Sequence, residues 1–110
     1  MALRPVSVDG AQIANSATTY YTATNKRSRI DTCALTNTTA GAITATVYIV
    51  PSGGTAGVTN CVLSAKSIAA GATYIPPGVI GQWLETGGTL QALASSATSI
   101  TIVAIGVDFT

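Results

Sequence analysis

The stretch Gly87-Gly88-Thr89-Leu90-Gln91-Ala92-Leu93-Ala94-Ser95-Ser96-Ala97-Thr98-Ser99-Ile100-Thr101-Ile102-Val103-Ala104-Ile105-Gly106-Val107-Asp108-Phe109-Thr110 decides the fold. A Gly-Gly break opens it, a polar turn divides it at residues 95–98, and the second half is long, β-branched and mostly apolar. That pattern predicts two antiparallel strands joined as a hairpin. A strand as apolar as residues 100–109 has to be paired and covered on at least one face, or it becomes a site of aggregation. Everything upstream then reads as its cover, with the terminal strand at the centre of the sandwich.

Working outward, the same signature recurs. Residues 43–50 alternate with period two, setting Ile43, Ala45, Val47 and Ile49 toward the core against Thr44, Thr46, Tyr48 and Val50. Residues 30–37, with Cys33 and Leu35 on one face, precede them across the turn Thr38-Thr39-Ala40-Gly41-Ala42, which predicts a second hairpin. Shorter runs follow at residues 60–68, 73–75 and 82–85, and an earlier one, Thr18-Thr19-Tyr20-Tyr21-Thr22, should put one tyrosine inside and one outside. Pro51 with three glycines marks an exposed loop tip, and Pro76-Pro77 marks a sheet edge or a crossover between sheets. Seven or eight strands about ten residues apart predict an all-β chain, a single antiparallel β-sandwich or jelly roll over residues 16–110. Residues 1–15 lack clean periodicity and read as an extended N-terminal arm.

Composition narrows the function. At 110 residues the chain is one domain, and its apolar content is largely Ala, Val, Ile and Leu, so the core is thin. Only 8% of residues are charged, against about a quarter in ordinary soluble domains. A surface that poor in charge associates readily, which points to burial against other subunits. Net charge is +1, so nothing favours direct nucleic-acid binding. Apolar runs fall far short of the roughly 18 to 20 residues a membrane helix needs. The first residues carry no apolar signal core, which predicts a protein made and kept in the cytosol. Cys33 and Cys61 then read as two reduced small hydrophobes, without the ligand count that a metal site requires.

Chemistry is thin along the chain. Histidine is absent, and the four acids Asp9, Asp31, Glu85 and Asp108 are scattered without the spacing of a catalytic carboxylate pair. No catalytic, metal or cofactor site is expected. The charge cluster Lys26-Arg27-Ser28-Arg29 reads as a solvated turn, with phosphate contact or docking on an acidic protein surface as alternatives. Trp83 reads as a core or interface anchor, with sugar or base stacking as the alternative.

The succession Leu35-Thr36-Asn37-Thr38-Thr39, Val47-Tyr48-Ile49-Val50-Pro51-Ser52-Gly53-Gly54, Leu84-Glu85-Thr86-Gly87-Gly88-Thr89-Leu90-Gln91-Ala92 and Ile105-Gly106-Val107-Asp108-Phe109 resembles small β-sandwich virion proteins of tailed bacteriophages. The resemblance spans residues 17–110 and consists of strand and turn signatures. It implies a non-enzymatic virion protein assembled in the host cytoplasm, such as a capsid decoration or cement subunit, often a homotrimer. Its partners would be further copies of itself and the major capsid protein or another virion protein. Candidate contact residues are Arg4 in the arm, Lys26, Arg27 and Arg29 in the basic turn, Trp83, and Phe109 at the chain end. The rival expectation is a tail, fibre or neck module that binds host glycan or another virion protein through its loops.

Overall fold

The computed structural model describes the backbone of residues 3–24 and 27–109, with side-chain surroundings for residues 10–24 and 27–108. Among the described residues the regular elements are all strands: β1 Leu3–Gln12, β2 Thr18–Thr22, β3 Arg27–Asn37, β4 Ile43–Val50, β5 Cys61–Ile68, β6 Thr73–Tyr74, β7 Trp83–Leu84, β8 Thr89–Ala94 and β9 Ile100–Phe109. They form two antiparallel sheets. The first has the order β1-β9-β3-β6, with β7 also on β3, and the second has the order β2-β8-β4-β5.

Strands β6 and β7 share one edge of β3 at different heights, through Leu35↔Tyr74 and Arg29↔Trp83. They amount to a single edge strand broken by residues 75–82, where Pro76 and Pro77 have no N–H to donate. Counted once, that edge completes four strands on four in jelly-roll order. The expected all-β sandwich is therefore the fold, with nine strands by strict count.

The expected hairpins are not hairpins. Strands β8 and β9 lie in opposite sheets, as do β3 and β4, so the turns at residues 95–99 and 38–42 carry the chain across the sandwich. Alternation reveals which face of a strand is dry, but it is silent about the partner. Strand β9 pairs instead with β1 on one side and β3 on the other, Phe109 standing opposite both Leu3 and Arg27. Among the described strands, β4 and β5 alone are both consecutive and paired. The segment expected as an arm supplies β1, bonded along β9 with a register shift between Val8 and Ala11. At that shift Gly10 has φ +99°, a left-handed conformation glycine adopts without a Cβ penalty.

The core lies between the sheets and is built of Leu35, Leu84, Leu90, Ile100, Ile102 and Val47, filled in by small residues such as Ala45, Ala92 and Ala104. Val50, assigned to the outer face by simple alternation, is buried, and Ile43 and Ile49 are half-buried. Register shifts between β4 and β5 on either side of Val47 account for strict alternation failing there. Tyr20 and Tyr21 both end half-buried against the core, because a shift between Thr19 and Tyr21 interrupts the period.

The strand directions give the molecule two unlike ends. Loops 13–17, 38–42, 69–72 and 95–99 gather at one end and contain no charged residue. Arg27, Arg29, Asp31, Glu85 and Asp108 gather toward the other, where β3 begins and β9 finishes. At the neutral end Asn37 is buried and fully engaged: its Nδ2 donates to the carbonyls of Gly41 and Ile68, and its Oδ1 accepts from the Thr39 N–H and hydroxyl.

Near the charged end β9 passes very close to β3. A Cβ at Gly106 would overlap the Arg29 carbonyl oxygen and lie 3.2 Å from the Ile30 Cα, so backbone on both strands would have to move. Gly106→Ala is expected to lower unfolding stability by about 2 kcal/mol or more, read as a reduced urea midpoint with an unchanged slope.

Candidate functional site

Among the described residues, chemically distinctive side chains converge at the charged end. Strand β3 alternates there: Ser28 is buried under the sheet, while Arg27 and Arg29 emerge on the outer surface. The antiparallel pairing of β7 sets Trp83 opposite Arg29 and Leu84 opposite Ser28, so Trp83 faces out and Leu84 faces in. The Arg27 guanidinium stands 4.7 Å from the Trp83 ring centroid and that of Arg29 stands 5.8 Å away. Arg27 Nε also donates to Glu85 Oε2 at 2.9 Å, and Arg29 Nε to Asp31 Oδ1 at 2.7 Å.

Each exposed ion pair or cation–π contact of this kind contributes on the order of 0–1 kcal/mol. Their larger effect is chemical, since both guanidinium charges are matched by a carboxylate within the chain. The cluster presents an aromatic ring framed by neutralised arginines and does not act as a basic patch. The basic turn expected from the sequence is thus in part a strand: Arg27 and Arg29 belong to β3, and Lys26 lies outside the described residues. Arg4 stands opposite Asp108 on β1, and Phe109 stands between Leu3 and Arg27, on backbone pairing. The fold therefore collects Arg4, Arg27, Arg29, Trp83 and Phe109 at one end of a single sheet.

Beside Trp83 a shallow cleft of about 140 Å³ opens between the sheets. Ile49, Val50 and Pro51 form one wall, and Trp83, Leu84 and Glu85 the other. The lining is largely aliphatic. Below it the two sheets are tied by a buried polar knot, in which Tyr21 OH donates to Asp108 Oδ1 at 2.6 Å and Ser28 Oγ donates to the same oxygen at 2.5 Å. Asp108 is only 4% exposed, and a carboxylate at that depth is tolerated because hydroxyl donors compensate its desolvation. It serves as a structural link between β2 and the β3/β9 pair. Sequence spacing missed it, since its partners lie 80 and 87 residues away.

The glycine loop at residues 51–60 is ordered by its own bonds. Gly54 N–H donates to the Pro51 carbonyl, Gly57 N–H to Asn60 Oδ1, and Asn60 Nδ2 to the Thr55 carbonyl. Among the described residues no group of three His, Cys, Asp or Glu side chains could hold a metal ion, and no helix is long and apolar enough to cross a membrane. The described acids Asp31, Glu85 and Asp108 engage Arg29, Arg27 and the two hydroxyls respectively.

Comparison with known proteins bears on the fold. No protein family matches the chain, and no curated relative does. Among solved structures, a subunit from work on Bacillus endospore appendages, described as a novel family of disulfide-linked pili, superposes with a TM-score of 0.59 at 14% identity, over 99% of this chain and 87% of that one. A chain of the T13 IBDV viral particle gives a TM-score of 0.49 at 12% identity, and one of the infectious bursal disease virus Gt strain gives 0.46 at 15%. This chain covers 31% and 33% of those two chains respectively. At 14% identity the likeness to the appendage subunit is one of fold.

The two thiols are free and differ in environment. Cys33 is buried on the inner face of β3, and burial pushes its thiol up from 9.0 to about 11. Cys61 is half-buried on the edge strand β5, with Sγ donating to the Leu63 carbonyl at 3.2 Å. Because the native Cys33 value is raised, its contribution to stability is complete below pH 9 and is lost as pH rises toward 11. In native protein at pH 8, a thiol reagent counted by mass spectrometry is expected to add one label, on Cys61, and to reach Cys33 only after unfolding.

Proposed function

We propose that the chain is a non-enzymatic structural subunit of a virion, a capsid decoration or cement protein that self-associates and bridges neighbouring capsomers. The observation that carries this reading is the surface: the outer face of the first sheet exposes Val103 and Ile105, and the exposed arginines of Arg27 and Arg29 are neutralised internally. Such faces gain more from protein contact than from water. Binding the assembled lattice and not its separated parts would shift the equilibrium toward the particle, and several modest contacts per oligomer would add through avidity. The bacteriophage resemblance implies a trimer, but self-association through the apolar sheet face does not depend on that stoichiometry. The candidate lattice contacts are Arg4, Lys26, Arg27, Arg29, Trp83 and Phe109, and the locations are host cytoplasm during assembly and virion thereafter.

A filament subunit is the second reading, favoured by the near full-length likeness to the endospore appendage subunit and by a partly exposed thiol, Cys61, on an edge strand. Glycan binding through Trp83 has less support, because a sugar stacking on the ring would compete with Arg27.

Electron microscopy of particles and of the isolated protein separates these readings. A cement subunit is expected as many symmetric copies over a shell, and particles lacking it should lose integrity at a lower temperature. Fibres that fall apart in reductant would favour the filament reading. A stable monomer at micromolar concentration by sedimentation, with no binding to particles, would remove both.

A further inference from the structure

We infer that the outer face of the β1-β9-β3-β6 sheet is the surface on which a second copy of this chain packs, face to face. This rests on the assembly reading above and assigns the contact. The face is layered by the strand register. At the neutral end a polar row crosses the sheet, where Gln12 Nε2 donates to Thr101 Oγ1 and the Thr36 and Thr73 hydroxyls pair at 2.9 Å. Thr101 and Thr36 stand opposite each other between those two contacts.

The middle of the face is aliphatic and unguarded. Val103 stands opposite Ala34, and Ile105 opposite Thr32. Ile75 follows on the β6 edge. Val103, Ile105 and Ile75 are 43%, 49% and 56% exposed, and Trp83 at the charged end of the same sheet is 42% exposed. These are four of the six large apolar side chains that the described surface exposes. A solvated sheet face ordinarily carries polar residues at these positions. An apolar centre rimmed by an aromatic ring and arginines is the composition of a protein interface, with Trp and Arg as anchors.

Charge selects the occupant. Arg27 and Arg29 are matched by Glu85 and Asp31, and the rows between them and Thr36 contain no other described charge. Among the described residues of this face, an acidic or basic partner would find no unmatched charge to complement. The partner that fits is an uncharged, flat, β-branched sheet face, and the same face of another copy meets that description. Two such sheets can stack about 10 Å apart with Val and Ile side chains interdigitating. The contact is isologous: one two-fold axis brings each aliphatic band onto the other and sets the two Trp83 clusters at opposite ends.

The test uses the full chain and Ile105→Lys, with Val58→Lys as the control because Val58 is a 96% exposed apolar residue on the loop at residues 51–60, away from this face. Sedimentation equilibrium should show a dimer or an even-numbered oligomer whose affinity changes little between low and high salt. Ile105→Lys should weaken it by at least about 100-fold, while Val58→Lys leaves it unchanged. Where Ile105→Lys fails to fold, by circular dichroism, Val103→Cys in a Cys61→Ser background supplies the reading. It should give a reducible covalent dimer on mild oxidation. A plain trimer, an oligomer that survives Ile105→Lys intact, or Val103→Cys that stays monomeric on oxidation, overturns this contact and leaves the assembly reading standing. A wild-type chain that is monomeric at every concentration and binds no particle overturns both.

Discussion

The inner face of β9 sets the geometry of the sandwich. Reading along it, the side chains are Ile100, Ile102, Ala104, Gly106 and Asp108, large and apolar at the neutral end, then small, then polar. Strand β9 is held on both sides, by β1 and β3, and cannot shift to relieve a misfit. Its inward residues shrink toward the charged end, and at Gly106 the neighbouring strand β3 leaves no room for a Cβ beside the Arg29 carbonyl. Interiors pack at crystal-like density, so this fall in side-chain size along β9 has to be matched by what lies opposite.

The match changes in kind along the strand. At the neutral end Leu35, Ile100 and Ile102 of the first sheet share the core with Ala45, Ile68 and Ala94 of the second, and stability there is a matter of apolar area removed from water. At the charged end Asp108 takes hydroxyl donors from Tyr21 across the sandwich and from Ser28 beside it. The two sheets are closed by a directional knot where apolar filling has run out. Because Ser28 must face inward to make it, its neighbours Arg27 and Arg29 must face outward, and β7 then sets Trp83 beside them. The exposed cluster and the buried knot are thus two faces of one alternation on β3.

This explains what was legible in the sequence and what was not. Strand existence and buried faces followed from period two, as at Cys33, Leu35, Ala45 and Val47, since alternation is a local property of the backbone. Pairing is not local. The same evidence that identified β8 and β9 suggested a hairpin, yet the turn at residues 95–99 crosses between sheets, and β9 finds partners from the start of the chain and from β3. Residues 3–12 looked irregular because Asp9 and Gly10 sit in a bulge, which breaks the alternation of a strand that is nonetheless paired along β9. The Trp83 cluster was hidden for the same reason, its members being brought together by a β3–β7 pairing across more than fifty residues. Asn37 and Asp108 carry no local signal, because their roles are defined by donors and acceptors distant in the chain or contributed by backbone.

Charge scarcity, read from composition, acquires a location once the fold is known. The described charges are not spread thinly over the surface to keep it solvated. Among the described residues most stand toward one end, where they pair with each other or lock the sheets, and the described part of the long face between the ends is left to Thr, Ala, Val and Ile. A monomer under pressure only to stay dissolved would place at least one Lys or Glu at an outward position such as Val103 or Ile105, where nothing in the sandwich requires an apolar side chain. The inner face of β9 is constrained by packing within the chain. Its outer face is free of that constraint and is still β-branched and apolar at Val103 and Ile105, and that contrast is the ground on which the proposed contact with a second copy stands.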